Sequence, residues 1–302
     1  MSSDLPGSPS PEWAAGTTLL THTIGELRGQ LTRLIAERGA ESIGLVPTMG
    51  ALHDGHAALV RAARAENSVV CASLFVNPLQ FESPLDLRRY PRDLAADMEI
   101  FQREGVDLVL APDVDEMYPG YPESPIVRVS SGHMGAILEG ASRPGHFDGM
   151  ATVVAKLFNI FDPPGPARLR AYFGQKDAQQ LMIVKRMVAD LDFPVTVVPV
   201  QTQREPGGLA LSSRNQLLSE RGRATATVLS EVLFDLRDRA ARAEDWNLAE
   251  LRRRVQATES VILDYFEVVD PNTLQPTTEA PALALIAAYV DSIRLIDNLL
   301  ID

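Results

Sequence analysis

Cysteine is almost absent from this sequence: Cys71 is the only one in 302 residues. No intramolecular disulfide can form, which is compatible with a reducing cytoplasm, where the chain is expected to reside. Lysine is nearly as scarce, with Lys156, Lys176 and Lys185 the only three among 28 basic side chains. Basic charge as a whole is short, since 28 Lys and Arg against 40 Asp and Glu leave a net charge of −12. That balance argues against a sequence-independent grip on nucleic acid or an anionic membrane, so an anionic ligand needs a local site. No apolar run approaches the roughly 20 residues of a membrane-spanning helix, residues 282–290 being the most apolar late stretch. Residues 1–17, rich in Ser, Pro and Gly, lack the basic start and apolar run of a secretory signal and read as a disordered leader. What remains is 45% hydrophobic and 23% charged, the make-up of a globular chain long enough for one large or two modest domains.

Apolar residues at helical spacing predict a helix over 24–39, stopped by Gly39. A strand over 43–46 then runs into Pro47-Thr48-Met49-Gly50, and an alanine-rich helix starts near Gly55 and reaches residue 65. The nearly continuous apolar run 69–76 reads as a strand buried on both faces, ended by Asn77-Pro78. Pro91 suits the first position of a helix that reaches residue 104. The pattern continues with strand 106–110, helix 149–160, strand 170–173, helix 178–189 and strand 195–200. Such alternation predicts an α/β, Rossmann-like parallel sheet whose ligands bind beyond the carboxyl ends of the strands. Past Gln203 come the loop Pro206-Gly207-Gly208, helices near 225–242 and 248–257, and strands 265–269, 283–290 and 293–296, which together suggest a smaller α+β carboxyl-terminal domain. The expected division is 18–203 and 204–302.

The loop most able to carry chemistry is Pro47-Thr48-Met49-Gly50-Ala51-Leu52-His53-Asp54-Gly55-His56. At helical spacing His53 and His56 share one face. At a helix start, free backbone N–H groups and the positive end of the dipole favour a phosphate, and imidazole N–H groups can stabilise charge developing on it. A metal pair is the weaker reading, because His22, His133 and His146 complete no zinc spacing. On spacing alone, simple capping of the helix by the two histidines stays open. So does a solvated surface place for Lys176, and a helix-capping place for Ser212 and Ser213.

The ten-residue string resembles the histidine-glycine-histidine signature of the nucleotidylyltransferase superfamily. Four further blocks follow in order: Phe75-Val76-Asn77-Pro78-Leu79-Gln80-Phe81, Glu139-Gly140-Ala141-Ser142-Arg143-Pro144-Gly145-His146-Phe147, Tyr172-Phe173-Gly174-Gln175-Lys176-Asp177-Ala178-Gln179-Gln180 and Gly208-Leu209-Ala210-Leu211-Ser212-Ser213-Arg214-Asn215. With the terminal Arg294-Leu295-Ile296-Asp297-Asn298, the set is similar to the pantoate–β-alanine ligase (pantothenate synthetase) family over about residues 21–302. The resemblance implies a cytoplasmic, homodimeric enzyme that uses ATP and Mg2+ to join (R)-pantoate to β-alanine through a pantoyl adenylate, releasing pyrophosphate and AMP. The two-histidine motif by itself would equally suit a nucleotidylyltransferase acting on another small carboxylic or phosphorylated substrate.

The resemblance also implies roles for particular residues. Met49, Gly50, Ala51, Leu52, His53, Asp54, Gly55 and His56 would form one wall of the ATP site, and Gly174, Gln175, Lys176 and Asp177 another. Gln203, by its main chain, and Leu211, Ser212, Ser213 and Arg214 would cover the nucleotide. His53 and His56 would stabilise the α-phosphoryl transition state, with His56 the candidate proton donor. Lys176 would hold the phosphates as a mobile point charge, and Ser212, Ser213 and Arg214 would clamp the triphosphate. Gln80 and Gln180 would bind pantoate, with Asn77 and Arg143 supporting them. No side chain is assigned as a metal ligand; Asp97, on the helix after Pro91, stands where the family has an acidic residue near the phosphates and magnesium, but it is not assigned as a ligand, since most helix aspartates are simply solvated. Gln175 stands where many relatives have glutamate, and Gly207 where an aspartate often stands.

Overall fold

The computed structural model describes residues 17–123 and 125–302, so all but Thr17 of the expected leader lies outside the described residues. The strands and helices of the larger half are β1 (Leu19–Thr21), α1 (Ile24–Arg38), β2 (Ser42–Thr48), α2 (Asp54–Glu66), β3 (Val69–Leu74), α3 (Pro84–Arg89), α4 (Leu94–Glu104), β4 (Leu108–Leu110), α5 (Val114–Met117), α6 (Glu139–Ser142), α7 (His146–Ile160), β5 (Arg168–Gly174), α8 (Ala178–Asp190) and β6 (Val195–Val200). After them come α9 (Glu220–Thr225), α10 (Thr227–Ala241), α11 (Leu248–Gln256), β7 (Val261–Val269), β8 (Ala282–Val290) and β9 (Ile293–Ile301).

Six strands form one parallel sheet in the order β1-β4-β3-β2-β5-β6. Residues Val69 to Ala72 of β3 are fully buried because helices cover both faces. Side chains of α1, α7 and α8 pack on one face, and those of α2 and α4 on the other. Twelve of the fifteen residues of α7 are buried, so this helix is apolar nearly all round. From β2 the chain first winds outward to β3 and β4, then returns to place β5 on the other side of β2. The crevice at this reversal lies beyond the carboxyl ends of β2 and β5, where an open α/β sheet takes its ligand. The turns 49–53 and 175–177 therefore share one crevice.

The smaller sheet is antiparallel, β7-β8-β9, and α10 and α11 pack on it around a core of their own. A second apolar cluster, including Ala178, Leu274, Leu283 and Leu285, joins it to the start of α8. No helix among the described residues is long and apolar enough to cross a membrane. Three elements start three or more residues from expectation, β7 among them, which begins at Val261 and not at Tyr265. Helix α4 begins at Leu94, not at Pro91, because the Asp93 carboxylate accepts from the Ala96 N–H and caps the helix there. Helix α7 begins at His146, three residues before the expected start, and follows Gly145 in the left-handed conformation (φ 78°).

Candidate active site

His53 is the N-cap of α2, and its Nδ1 accepts from the Gly55 N–H at 3.0 Å. His56 reciprocates, its Nδ1 accepting from the His53 N–H at 3.3 Å. Both δ nitrogens are thus acceptors, so each neutral ring carries its proton on Nε2. The rings lie 4.2 Å apart, centroid to centroid. Desolvation, followed by the field of Lys176, lowers the pKa of His53, and desolvation with the neighbouring His53 pushes His56 down to about 3. At neutral pH the pair is an array of uncharged N–H donors. The free backbone N–H groups expected at this helix start are mostly in use, since those of Gly55, His56 and Ala57 all bond back to His53. The histidines commit their inner nitrogens to the cap, which leaves their outer N–H groups as the ones able to meet a ligand.

The turn ahead of them is held from below by Asp97. This aspartate is buried, 2% exposed, and its carboxylate accepts from the N–H groups of Ala51 (3.1 Å) and Leu52 (2.8 Å). Asp97 is therefore not a solvated helix aspartate, the default for its type, but a support under the histidine turn. The two bonds also commit the amides of Ala51 and Leu52 to Asp97. Gly50 has φ 87°, and a Cβ there would sit 2.9 Å from the Asp97 carboxylate, so the turn requires glycine on both counts.

A small cavity of about 160 Å³ lies beside His56, lined by Gln80 and Gln180 with apolar walls from Phe75, Met150, Val153 and Phe173. Asn77, fully buried, donates through Nδ2 to Gln80 Oε1 (2.8 Å) and to the Gly149 carbonyl (3.0 Å). Its Oδ1 accepts from the Tyr118 hydroxyl at 2.9 Å. A carbonyl can only accept, so the contact with Gly149 fixes which way the Asn77 amide points, and with it that of Gln80. Gln80 must offer Oε1 to Asn77, which leaves its NH2 for the cavity. Asn77 itself has no capacity left for a substrate and acts one bond removed, by aiming Gln80. The buried Ser73 hydroxyl lines the same cavity and has no hydrogen-bond partner among the described residues.

Lys176, Asp177, Arg143 and Arg214 line an adjoining space of about 60 Å³. Lys176 Nζ is 3.9 Å from Asp177 Oδ1. Desolvation works to raise the Asp177 pKa, but the positive charges of Lys176 and Arg214 outweigh it and hold the carboxyl below its usual range. His146 is a residue whose part is hidden in the sequence. Its Nδ1 lies 2.9 Å from the Gln80 carbonyl and its Nε2 3.2 Å from Arg143 Nη1. Desolvation and the guanidinium push it down to about 4, and the neutral ring then donates to Gln80 and accepts from Arg143. Ser212 caps the short 3-10 turn Ser213–Leu217, where Ser213 and Arg214 are exposed. With Lys176, Ser212 and Arg214 line a narrow gap of about 10 Å³ against β9. The Gln203 carbonyl accepts from the Leu211 N–H. A Cβ on Gly174 would meet Leu59 at 4.0 Å, an ordinary contact, so close packing does not demand glycine there.

Gln175 is placed differently from the rest. It lines a larger groove of about 680 Å³ between α8, β9 and α10 and not the spaces around His56 and Lys176. Among the described residues no three His, Cys, Asp or Glu side chains converge as a metal set.

The chain matches the pantoate-beta-alanine ligase family model over residues 19–300. It is 55% identical over 290 residues to the pantothenate synthetase of Paenarthrobacter aurescens, covering 91% of this chain and 98% of that one. The crystal structure of pantothenate synthetase from Thermus thermophilus superposes with a TM-score of 0.82 at 47% identity, covering 94% of this chain and 99% of the other. The pantoate-beta-alanine ligase of Francisella tularensis, solved with β-γ ATP and β-alanine, superposes with a TM-score of 0.75 at 36% identity, covering 94% and 98% of the two chains. Sequence and architecture agree along nearly the whole length, and the chain belongs to the pantoate–β-alanine ligase family.

Proposed function

We propose that this crevice joins (R)-pantoate to β-alanine at the expense of ATP, in two steps. The observation that carries the reading is the meeting of two chemistries beside His56. On one side the Gln80 and Gln180 amides enter a small, apolar-walled cavity suited to a branched hydroxy acid. On the other, Lys176, Arg143 and Arg214 gather positive charge suited to phosphates.

In the first step a carboxylate oxygen of pantoate attacks the α-phosphorus of ATP, the bond to the bridging oxygen breaks, and pyrophosphate leaves. Negative charge grows on that oxygen, and the Nε2–H groups of His53 and His56 with the Lys176 ammonium are its candidate stabilisers. With a pKa near 3 in the free protein, His56 acts as a neutral N–H donor rather than an imidazolium. In the second step the amine of β-alanine attacks the acyl carbon, the C–O bond to phosphate breaks, and AMP leaves while the amine loses a proton. Adenylation is needed because a carboxylate alone has no adequate leaving group.

Mg2+ accompanying the triphosphate would neutralise charge on it, and Asp177, open to the crevice and held ionised, is the side chain that fits a cation there. Spaces of about 60 and 160 Å³ are smaller than pockets that hold nucleotide-sized ligands. The reading therefore includes a division into domains 18–203 and 204–302 that open about the 201–204 joint and close Ser212, Ser213 and Arg214 over ATP. A cytoplasmic homodimer belongs to the same reading and rests on family likeness. The test is pantoate-dependent exchange of labelled pyrophosphate into ATP without β-alanine. Exchange is expected; its absence in folded, ATP-binding protein would remove the adenylate, and exchange with another acid but not pantoate would favour a different nucleotidyl transfer.

A further inference from the structure

The terminal run Arg294-Leu295-Ile296-Asp297-Asn298 lies on β9, in the smaller sheet, and none of its residues has a part in the chemistry above. Asn298 is buried, 6% exposed. Its Nδ2 donates to the carbonyls of Gln175 at 3.0 Å and Lys176 at 2.7 Å. A carboxamide has two N–H donors, and here both go to consecutive carbonyls of the loop that carries Lys176. The Gln175 N–H is fixed from the other side by the Val200 carbonyl at 2.8 Å. The lysine side chain has only Asp177, 3.9 Å away, as an ion-pair partner among the described residues, so the place of its backbone fixes the region that its flexible stem can reach.

Asn298 is itself held. Its N–H donates to Asp297 Oδ1 (2.7 Å) and its carbonyl accepts from Arg204 (3.2 Å). Asp297, 3% exposed, takes both arms of Arg204 at 2.6 and 2.8 Å, and Arg204 also donates to the Gly208 carbonyl. One network thus links the joint after Gln203 to the loop of Lys176. We propose that Asn298 is a positioning residue for Lys176: reaching across from the smaller sheet, it fixes the backbone that aims the ammonium at the phosphates, and so makes the aim depend on that sheet being docked.

The inference rests on the ligase reading, and its test separates the two. In the full chain, pyrophosphate exchange and single-turnover aminolysis of preformed pantoyl adenylate are measured for wild type, Asn298→Ala, Lys176→Ala and the double variant. Asn298→Ala is expected to slow exchange about 10- to 100-fold, the usual effect of losing a support behind a functional group, while aminolysis changes by no more than about twofold. In the Lys176→Ala background the same substitution should cost no more than about twofold, because there is no ammonium left to aim. Asn298→Ser, able to donate to one carbonyl, should fall between wild type and alanine, and it decides the matter if the alanine variant unfolds. Wild-type exchange in the folded variants, equal losses in both half-reactions, or the full loss repeated without Lys176 would overturn the inference. Failure of the wild type itself to exchange pyrophosphate would instead overturn the ligase reading.

Discussion

Lys176→Ala isolates the charge to which the proposed first step assigns the leaving pyrophosphate. Of the chain's three lysines, Lys156 sits over the Tyr118 ring and Lys185 lines the larger groove, so Lys176 alone faces the crevice. Its side chain is 19% exposed, so its field is only partly screened. Removing one preorganised donor from a developing oxyanion costs about 3 to 4 kcal/mol, or roughly 10²- to 10³-fold in rate. The loop should survive the change, because Asn298 and Val200 hold the backbone and not the side chain. Pantoate-dependent pyrophosphate exchange at saturating pantoate, beside thermal unfolding, makes the assay. The expected result is a drop of that size with a melting point moved by no more than a few degrees. A loss under about fivefold in correctly folded protein would refute the argument that this ammonium stabilises the leaving phosphate.

Three further outcomes follow from the same geometry. Asp97→Ala strands two half-buried N–H groups, those of Ala51 and Leu52, and should cost about 1 to 3 kcal/mol in urea unfolding, with adenylation impaired because the turn before His53 loosens; unchanged stability would contradict the assigned bonds. Gly149→Ala places a Cβ 2.1 Å from the Leu79 carbonyl oxygen and 3.0 Å from the Gln80 N, so the segment that aims Gln80 must move, and KM for pantoate should rise at least about tenfold with a smaller change for ATP; an unchanged pantoate KM would place that acid elsewhere. His56 and His146 have folded pKa values of about 3 and about 4, below the unfolded value of 6.5. As pH falls below about 6.5 the unfolded chain takes up protons that the folded one refuses, so stability should drop by about 1.4 kcal/mol per pH unit for each histidine, and a flat denaturant midpoint between about pH 6.5 and 5 would contradict their neutrality.

The parallel sheet was legible because strands buried on both faces are apolar without interruption, as at Val69 to Ala72, and because helices between them carry a 3.6-residue period. The histidine pair was legible as a local motif, and the family blocks brought the lysine and serine loops into view. Three kinds of feature were not. The three-residue β1 is too short for a periodic signal, and α3 hides behind Pro84 in a stretch rich in charge. The start of α4 turned on one capping bond from Asp93 that outweighs the appeal of Pro91 as a first residue. Most of all, the supports of the site are long-range: Asp97 acts on residues 45 and 46 positions away, His146 on a carbonyl 66 away, and Asn298 on one 122 away. No spacing rule reaches that far. The Asn77 amide shows the converse, a residue expected beside the substrate whose bonds turn out to be wholly internal.

The central claim is that one crevice performs two coupled transfers, and product stoichiometry tests it most directly. Purified protein is supplied with ATP, Mg2+ and D-pantoate, with and without β-alanine, and nucleotides, pyrophosphate and acyl products are quantified together. With β-alanine, AMP, pyrophosphate and the amide should appear in equal amounts, and without it free AMP should not accumulate beyond the enzyme concentration. Formation of ADP, or sustained release of an adenylated product with no amide, would contradict the account.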